Sequence, residues 1–163
     1  MKKETVLRFA AAAVPAVVVF ALLAPRAFTK DQSTEPRSME TVSVMSFDQA
    51  EKVEFPWGWI RWLMDSKVDK DAPMTYGIVQ IDAGKDNPLH LHPNCDEYLH
   101  VLSGSCEHAV GDKKVVLKEG DVLRIPRGVP HKAKTLGKEP CKAVIVYNTG
   151  ERQVTMLEKD GKE

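Results

Sequence analysis

From about Val42 onward the chain never runs far without meeting a residue that turns it. Gly84, Asn87-Pro88, Pro93-Asn94, Ser103-Gly104, Gly111-Asp112, Glu119-Gly120-Asp121, Pro126 to Pro130, Gly137 and Gly150 cut it into short pieces. The pieces are rich in Val, Ile, Leu and aromatics: Trp57 to Met64, Tyr76 to Asp82, Glu97 to Leu102, Cys106 to Val110, Lys114 to Leu117, Val122 to Ile125, Lys142 to Tyr147 and Gln153 to Leu157. Strands of this length and spacing predict an all-β sandwich or barrel. No amphipathic helix longer than two turns fits; Phe47 to Val53 is read as one helical turn, and Gly111-Asp112 as a hairpin turn.

The N-terminus is of another kind. Lys2, Lys3 and Arg8 precede sixteen residues, Phe9 to Ala24, that hold neither charge nor polar side chain. That is the pattern of a secretory signal or of a single-pass anchor. The run is slightly shorter than the roughly 17 to 25 residues a membrane span needs. The small-residue cleavage pattern is weak, because Leu22 is large and Pro25 follows Ala24 at once. Pro15 and the absence of a polar face argue against a buried core helix. Both surviving readings export the remainder of the chain. The expected organisation is a signal or anchor over residues 1–28, a polar spacer over 29–41 and a β-barrel domain over 42–163. The whole chain has no net charge, but residues 28–163 hold 19 basic against 22 acidic side chains. A mildly acidic domain gives no support for nucleic-acid binding.

Five histidines carry most of the functional information. His90 and His92 are two apart, so on an extended segment both point to one face. Glu97 opens the next strand after the Pro93-Asn94 turn, and His131 follows the Pro126 to Pro130 loop. Three imidazoles and a carboxylate suit Fe, Mn, Ni, Zn or Cu as a divalent ion. Counting in twos from Glu97 puts Leu99 and Val101 inward and His100 outward. Cys106, His108 and Val110 share a face of the following strand.

These residues stand in a fixed frame of glycine and proline. Gly84, five residues, His90-x-His92, four residues, Glu97, six residues and Gly104 make one motif; Gly120, five residues, Pro126-x-Gly128, two residues and His131 make a second. The pair resembles the two signature motifs of the cupin superfamily, in its small single-domain form. The resemblance implies a double-stranded β-helix, or jelly roll, with one metal ion held at one end by His90, His92, Glu97 and His131. It also implies a small-molecule ligand or substrate and a homodimer. The second motif usually closes on an Asn where this chain has Thr135. His108 is the candidate catalytic residue, as proton shuttle or substrate contact, against the alternative of a hydrogen-bonded core histidine. Cys95 either faces the metal or fills its loop, and Cys106 and Cys141 are candidates to pair across strands. Trp57 and Trp59 are expected on one face, with Ile60 and Trp62 on the other. The functional expectation is an exported or anchored metal-binding protein, either an oxygenase-type enzyme on a small organic substrate or a noncatalytic binding module. A storage barrel is disfavoured by the complete ligand set.

Overall fold

The computed structural model describes residues 43–158; residues 1–28 and 29–41, read above as signal or anchor and spacer, lie outside the described residues. Among the described residues eleven strands follow in chain order: β1 (Glu51–Phe55), β2 (Gly58–Met64), β3 (Thr75–Ile81), β4 (His90–Leu91), β5 (Glu97–Ser103), β6 (Ser105–Val110), β7 (Lys113–Lys118), β8 (Val122–Ile125), β9 (His131–Thr135), β10 (Cys141–Tyr147) and β11 (Thr155–Met156). They form two antiparallel sheets, one in the order β1-β2-β3-β10-β5-β8 and the other β11-β4-β9-β6-β7. The expected two-sheet β architecture is therefore present.

Alternation explains where the core lies. In β3 and β10 every second residue is buried, and in β5 Glu97, Leu99 and Val101 are. Register aligns these inward positions into rows: Val79, Ala143 and Val101 in one, Ile145 and Leu99 in the next, Thr75, Tyr147 and Glu97 in a third. The opposite sheet turns Cys106, Leu117, Ala133 and Thr135 against them. Each fully buried aliphatic side chain contributes about 1.5–3 kcal/mol. Glu97 lies in the last of these rows, so its carboxylate is in the interior at one end of the barrel.

Two strands differ from the sequence reading. Phe47 to Ala50 do form a turn, with the Ala50 amide donating to the Ser46 carbonyl at 3.1 Å. The expected helical turn stops there, because Glu51–Phe55 pairs with β2 as a hairpin strand. The alternation of charged and apolar residues in that strand is the signal that fits this pairing. His131–Thr135 is also a strand, recruited by register with β6. The hairpin at Gly111-Asp112 matches its expectation. Val110 pairs Lys113, and Gly111 takes φ 59° as the first residue of a type II′ turn requires.

The aromatic segment departs from strict alternation. Gly58 has φ 148°, which interrupts the strand just after Trp57. Trp57 therefore sits in the β1–β2 turn, buried with its ring stacked on Phe55 at 4.7 Å, while Trp59 packs on the opposite face beside Phe47. Trp57, Ile60 and Trp62 all line the interior cavity, so Trp57 and Trp59 do not share a face.

Gly104 is where the chain leaves one sheet for the other. Its φ is 75°, and a Cβ there would lie 2.3 Å from the Pro140 carbonyl oxygen. Gly104→Ala combines a left-handed backbone with a backbone clash. It is expected to destabilise the domain by about 2–4 kcal/mol, read as a thermal midpoint lowered by roughly 10 °C or more. A midpoint within about 2 °C of the parent would show that the crossover relaxes freely.

Candidate metal centre

The site is assembled from both sheets. His90 lies on β4 and His131 begins β9, directly opposite it in register. His92 follows β4 by one residue, and Glu97 opens β5 in the other sheet. One ligand atom from each of the four residues lies within 4.8 Å of all the others. The four residues singled out in the sequence are thus brought together.

Each imidazole is oriented by a backbone carbonyl. The Nδ1 atoms of His90, His92 and His131 lie 2.8, 2.7 and 2.9 Å from the carbonyl oxygens of Pro88, Gln153 and Val129. A carbonyl only accepts, so Nδ1 carries the proton in each ring, and in the neutral ring Nε2 presents its lone pair inward. Outer-shell bonds of this kind fix tautomer and ring orientation of metal-ligating histidines. Two of the carbonyls stand two residues before the histidine they hold, so the local loop supplies them. The third, from Gln153, is delivered by tertiary contact.

Glu97 is the negative centre. Its Oε2 lies 3.1 Å from His131 Nε2 and 3.2 Å from His92 Nε2. His92 Nε2 nevertheless has no hydrogen-bond partner. A lone pair and a carboxylate oxygen facing each other at this distance require a cation or proton between them. The donor set therefore fits a bound metal ion. Burial opposes ionisation of Glu97, yet the hydrogen bond from His131 and the charge of the neighbouring imidazoles hold its carboxyl well below the usual range. Burial also opposes protonation of His131, but the Glu97 hydrogen bond and charge outweigh it and raise its pKa in the metal-free protein. His90 is lowered to about 4, mainly by burial and then by the charge of His131.

The loops around the site are tied to one another. The Gly128 amide donates to the His92 carbonyl at 2.8 Å, so the Pro126 to Pro130 loop supports both His92 and His131. Asp96 accepts from the Arg127 amide and from the Arg124 guanidinium, fixing the turn before Glu97. Thr135, in the place where the motif usually has Asn, donates its hydroxyl to the Ile81 carbonyl at 3.0 Å and so stitches one sheet to the other.

His108 is buried at 2% exposure, one diagonal step from His131, with ring centroids 5.9 Å apart. Neither of its nitrogens has a protein hydrogen-bond partner among the described residues. Burial lowers its pKa to about 4, and the ring is neutral near pH 7. His100 is exposed on the outer face of β5 as expected.

The cysteines do not join the site. Cys95 is buried in its loop and absent from the ligand cluster. Cys106 and Cys141 are free thiols in hydrogen-bond contact with each other, not a disulfide.

Two neighbours of the site escaped the sequence reading. Tyr147 stands beside Glu97, its register partner, and burial followed by the Glu97 charge raises the phenol well above its usual pKa. It stays neutral next to the carboxylate. Inward alternation on β10 is the signal that would have found it. Arg152, in the loop before β11, places its guanidinium 4.6 Å from the Trp62 ring centroid and 5.2 Å from that of Tyr147. No local sequence signal marks it, since its position depends on packing across the barrel end.

Comparison with known proteins agrees with this geometry. Residues 77–147 match the family model described as a cupin domain. An uncharacterized protein of Methanocaldococcus jannaschii is 28% identical over 83 residues, covering 51% of this chain and 66% of the relative. Germin-like protein 3-8 of Oryza sativa is 31% identical over 81 residues, covering 47% of this chain and 36% of the relative. Among solved structures, the oxalate decarboxylase of Lactobacillus farciminis in its formate complex superposes with TM-score 0.64 and 26% identity, over 68% of this chain and 34% of that one. The chain thus spans two thirds or less of the length of each of these relatives.

Proposed function

Since this chain belongs to the cupin superfamily through residues 77–147, we propose that it is a mononuclear metal-dependent enzyme, of oxygenase type, acting on a small organic substrate. The observation that carries the reading is the backbone-held tautomer of His90, His92 and His131, which aims three Nε2 atoms at the Glu97 carboxylate. Similarity to an oxalate decarboxylase supports a small-molecule substrate.

The four side chains would hold one divalent transition metal. When bound, it supplies Lewis-acid or redox chemistry with coordination positions left for substrate. Glu97 would offset part of the ion's charge, with the neutral Tyr147 phenol standing beside the carboxylate. His108 is the proposed acid–base group. Neutral and without protein partners, it takes up a proton from bound substrate at its unprotonated ring nitrogen and returns it there. Ile60, Trp62 and Ile145 give this end apolar walls.

The proposal extends to location and assembly. Residues 1–28 would export the domain, as cleaved signal or retained anchor. Two copies would pair through an edge strand; β7 and β8 are sheet edges that expose Val116 and Val122.

Elemental analysis of protein purified without chelator or His-tag tests ligation, and about one transition-metal equivalent per chain is expected. Oxygen uptake and product formation with small phenolic, keto-acid and carboxylic substrates then test turnover. His108→Phe is expected to keep the metal and lower kcat by about a hundredfold or more, flattening the pH profile. Bound metal without turnover of any substrate would mark a noncatalytic binding module, and unchanged kcat in His108→Phe would remove its assigned role.

A further inference from the structure

The cavity beside the four ligands is far larger and more apolar than a two-carbon diacid needs. It has a volume of about 430 Å³, and its walls are built by Phe55, Trp57, Ile60, Trp62, Val79 and Ile145. That is the size of a site for a drug-like or metabolite-sized ligand. Polar groups facing it outside the ligand set are few. Both nitrogens of His108 and Nε1 of Trp57 are buried without partners, and a ligand that matches such groups gains by doing so.

Outside the four ligand residues, the charged side chain that lines the same cavity is that of Arg152. No carboxylate of the described residues forms an ion pair with it. Its place is nonetheless well determined. The Asn94 side chain donates to the Glu151 carbonyl at 2.7 Å and accepts from the Gln153 amide at 3.0 Å, clamping the backbone on both sides of Arg152. Gln153 also holds His92, so this one segment positions both a guanidinium and a metal-ligating imidazole. The guanidinium lies against the rings of Trp62 and Tyr147, and Tyr147 contacts His92 and Glu97. A planar cation held against aromatic faces keeps its donors in a fork that matches a carboxylate.

From the juxtaposition of this unpaired guanidinium, the ligand cluster and the aromatic wall, we propose that the substrate is a monocarboxylic acid with an aromatic or branched apolar body. Its carboxylate pairs with Arg152 beside the ligand set, and its body lies along the β1–β2 wall. The inference rests on the reading of the site as a metal-dependent small-molecule centre and names the substrate class for it. A sugar phosphate fits poorly: its hydroxyls would meet apolar walls, and its near-double charge would meet one arginine. Oxalate would leave most of the apolar wall uncovered.

Binding measurements test this apart from turnover. The probes are 3-phenylpropanoate, its amide, oxalate and glucose 6-phosphate, titrated calorimetrically into metal-loaded and metal-stripped protein, with metal content assayed in parallel. The acid is expected to bind about tenfold or more tightly than its amide, as a charge-assisted bond implies. Arg152→Gln should abolish that preference while leaving amide affinity unchanged, and Arg152→Lys should restore part of it. Thermal melts confirm that both variants fold. An acid-to-amide ratio that survives Arg152→Gln, tighter binding of oxalate or glucose 6-phosphate, or no binding of the acid would overturn the inference. Arg152-dependent preference in protein that retains no metal would sustain the inference and overturn the metal reading instead, so the two fail separately.

Discussion

His131→Ala is expected to abolish metal binding while the barrel stays folded. His131 is the hub of the cluster, with ring centroids 4.3 Å from His90, 5.3 Å from His92 and 5.9 Å from His108. Its Nε2 is also 3.1 Å from the Glu97 carboxylate. Removing an outer-shell partner alone costs about 10–100-fold in metal affinity, so deleting this donor should cost well over about a hundredfold. The fold should persist because the hydrophobic rows of Val79, Ala143 and Val101 lie farther along the sheet, away from the row that holds Glu97. The truncation leaves a small void at a buried position, worth about 1–3 kcal/mol in the metal-free state. Elemental analysis beside a circular-dichroism melt reads both effects. His100→Ala, on the outer face, should retain metal at the parental level. Full metal content in His131→Ala would sink the ligand assignment.

Metal-stripped protein should lose stability steeply as pH falls from about 6.5 to about 4. His90 and His108 have an ordinary pKa of 6.5 and are each lowered to about 4, chiefly by burial. Across that window the unfolded chain binds more protons than the folded one, so stability rises with pH and falls with acid. The contribution is fully present above 6.5 and gone below 4, at about 3 kcal/mol for each histidine. His131 acts in the opposite sense. Its raised pKa stabilises the fold below 6.5, and that contribution is lost as pH rises through the raised value. Glu97, held low, contributes above its unfolded value and loses that contribution only in stronger acid. Urea titrations of chelator-treated protein between pH 4 and 8 should therefore show a maximum near the middle of the range. His108→Phe removes one group that resists protonation and should make the acid limb visibly shallower. A flat profile from pH 4 to 6.5 would contradict the buried, neutral placement of both rings. Bound metal should shift the acid limb downward, because ligation requires unprotonated nitrogens.

What could be read in advance follows from the range of the interactions involved. Turn residues act locally, so Gly111-Asp112 and the breaks around Gly104 and Gly120 marked strand ends to within a few positions. Alternation is also local, and it placed Glu97, Leu99 and Val101 inside and His100 outside. The ligand motif was legible for the same reason: His90 and His92 share a face by spacing alone, and fixed glycines and prolines frame Glu97 and His131. Strands that depend on partners were less legible. β9 is recruited by β6 and opposes β4, and β1 is completed by β2. Trp57 was misplaced because one glycine at φ 148° resets the alternation at that point.

The sequence by itself determined the strand-and-turn grammar and the identity of four candidate donors, since both are set by spacing along the chain. Only the tertiary structure decided what surrounds those donors. It set Gln153 behind His92, Tyr147 behind Glu97, and Arg152 over two aromatic rings at the cavity wall. It also left His108 buried with both nitrogens unmatched. These relations join residues from opposite sheets and distant loops. Their physical origin is sheet register and loop packing across the barrel end, which no local periodicity encodes.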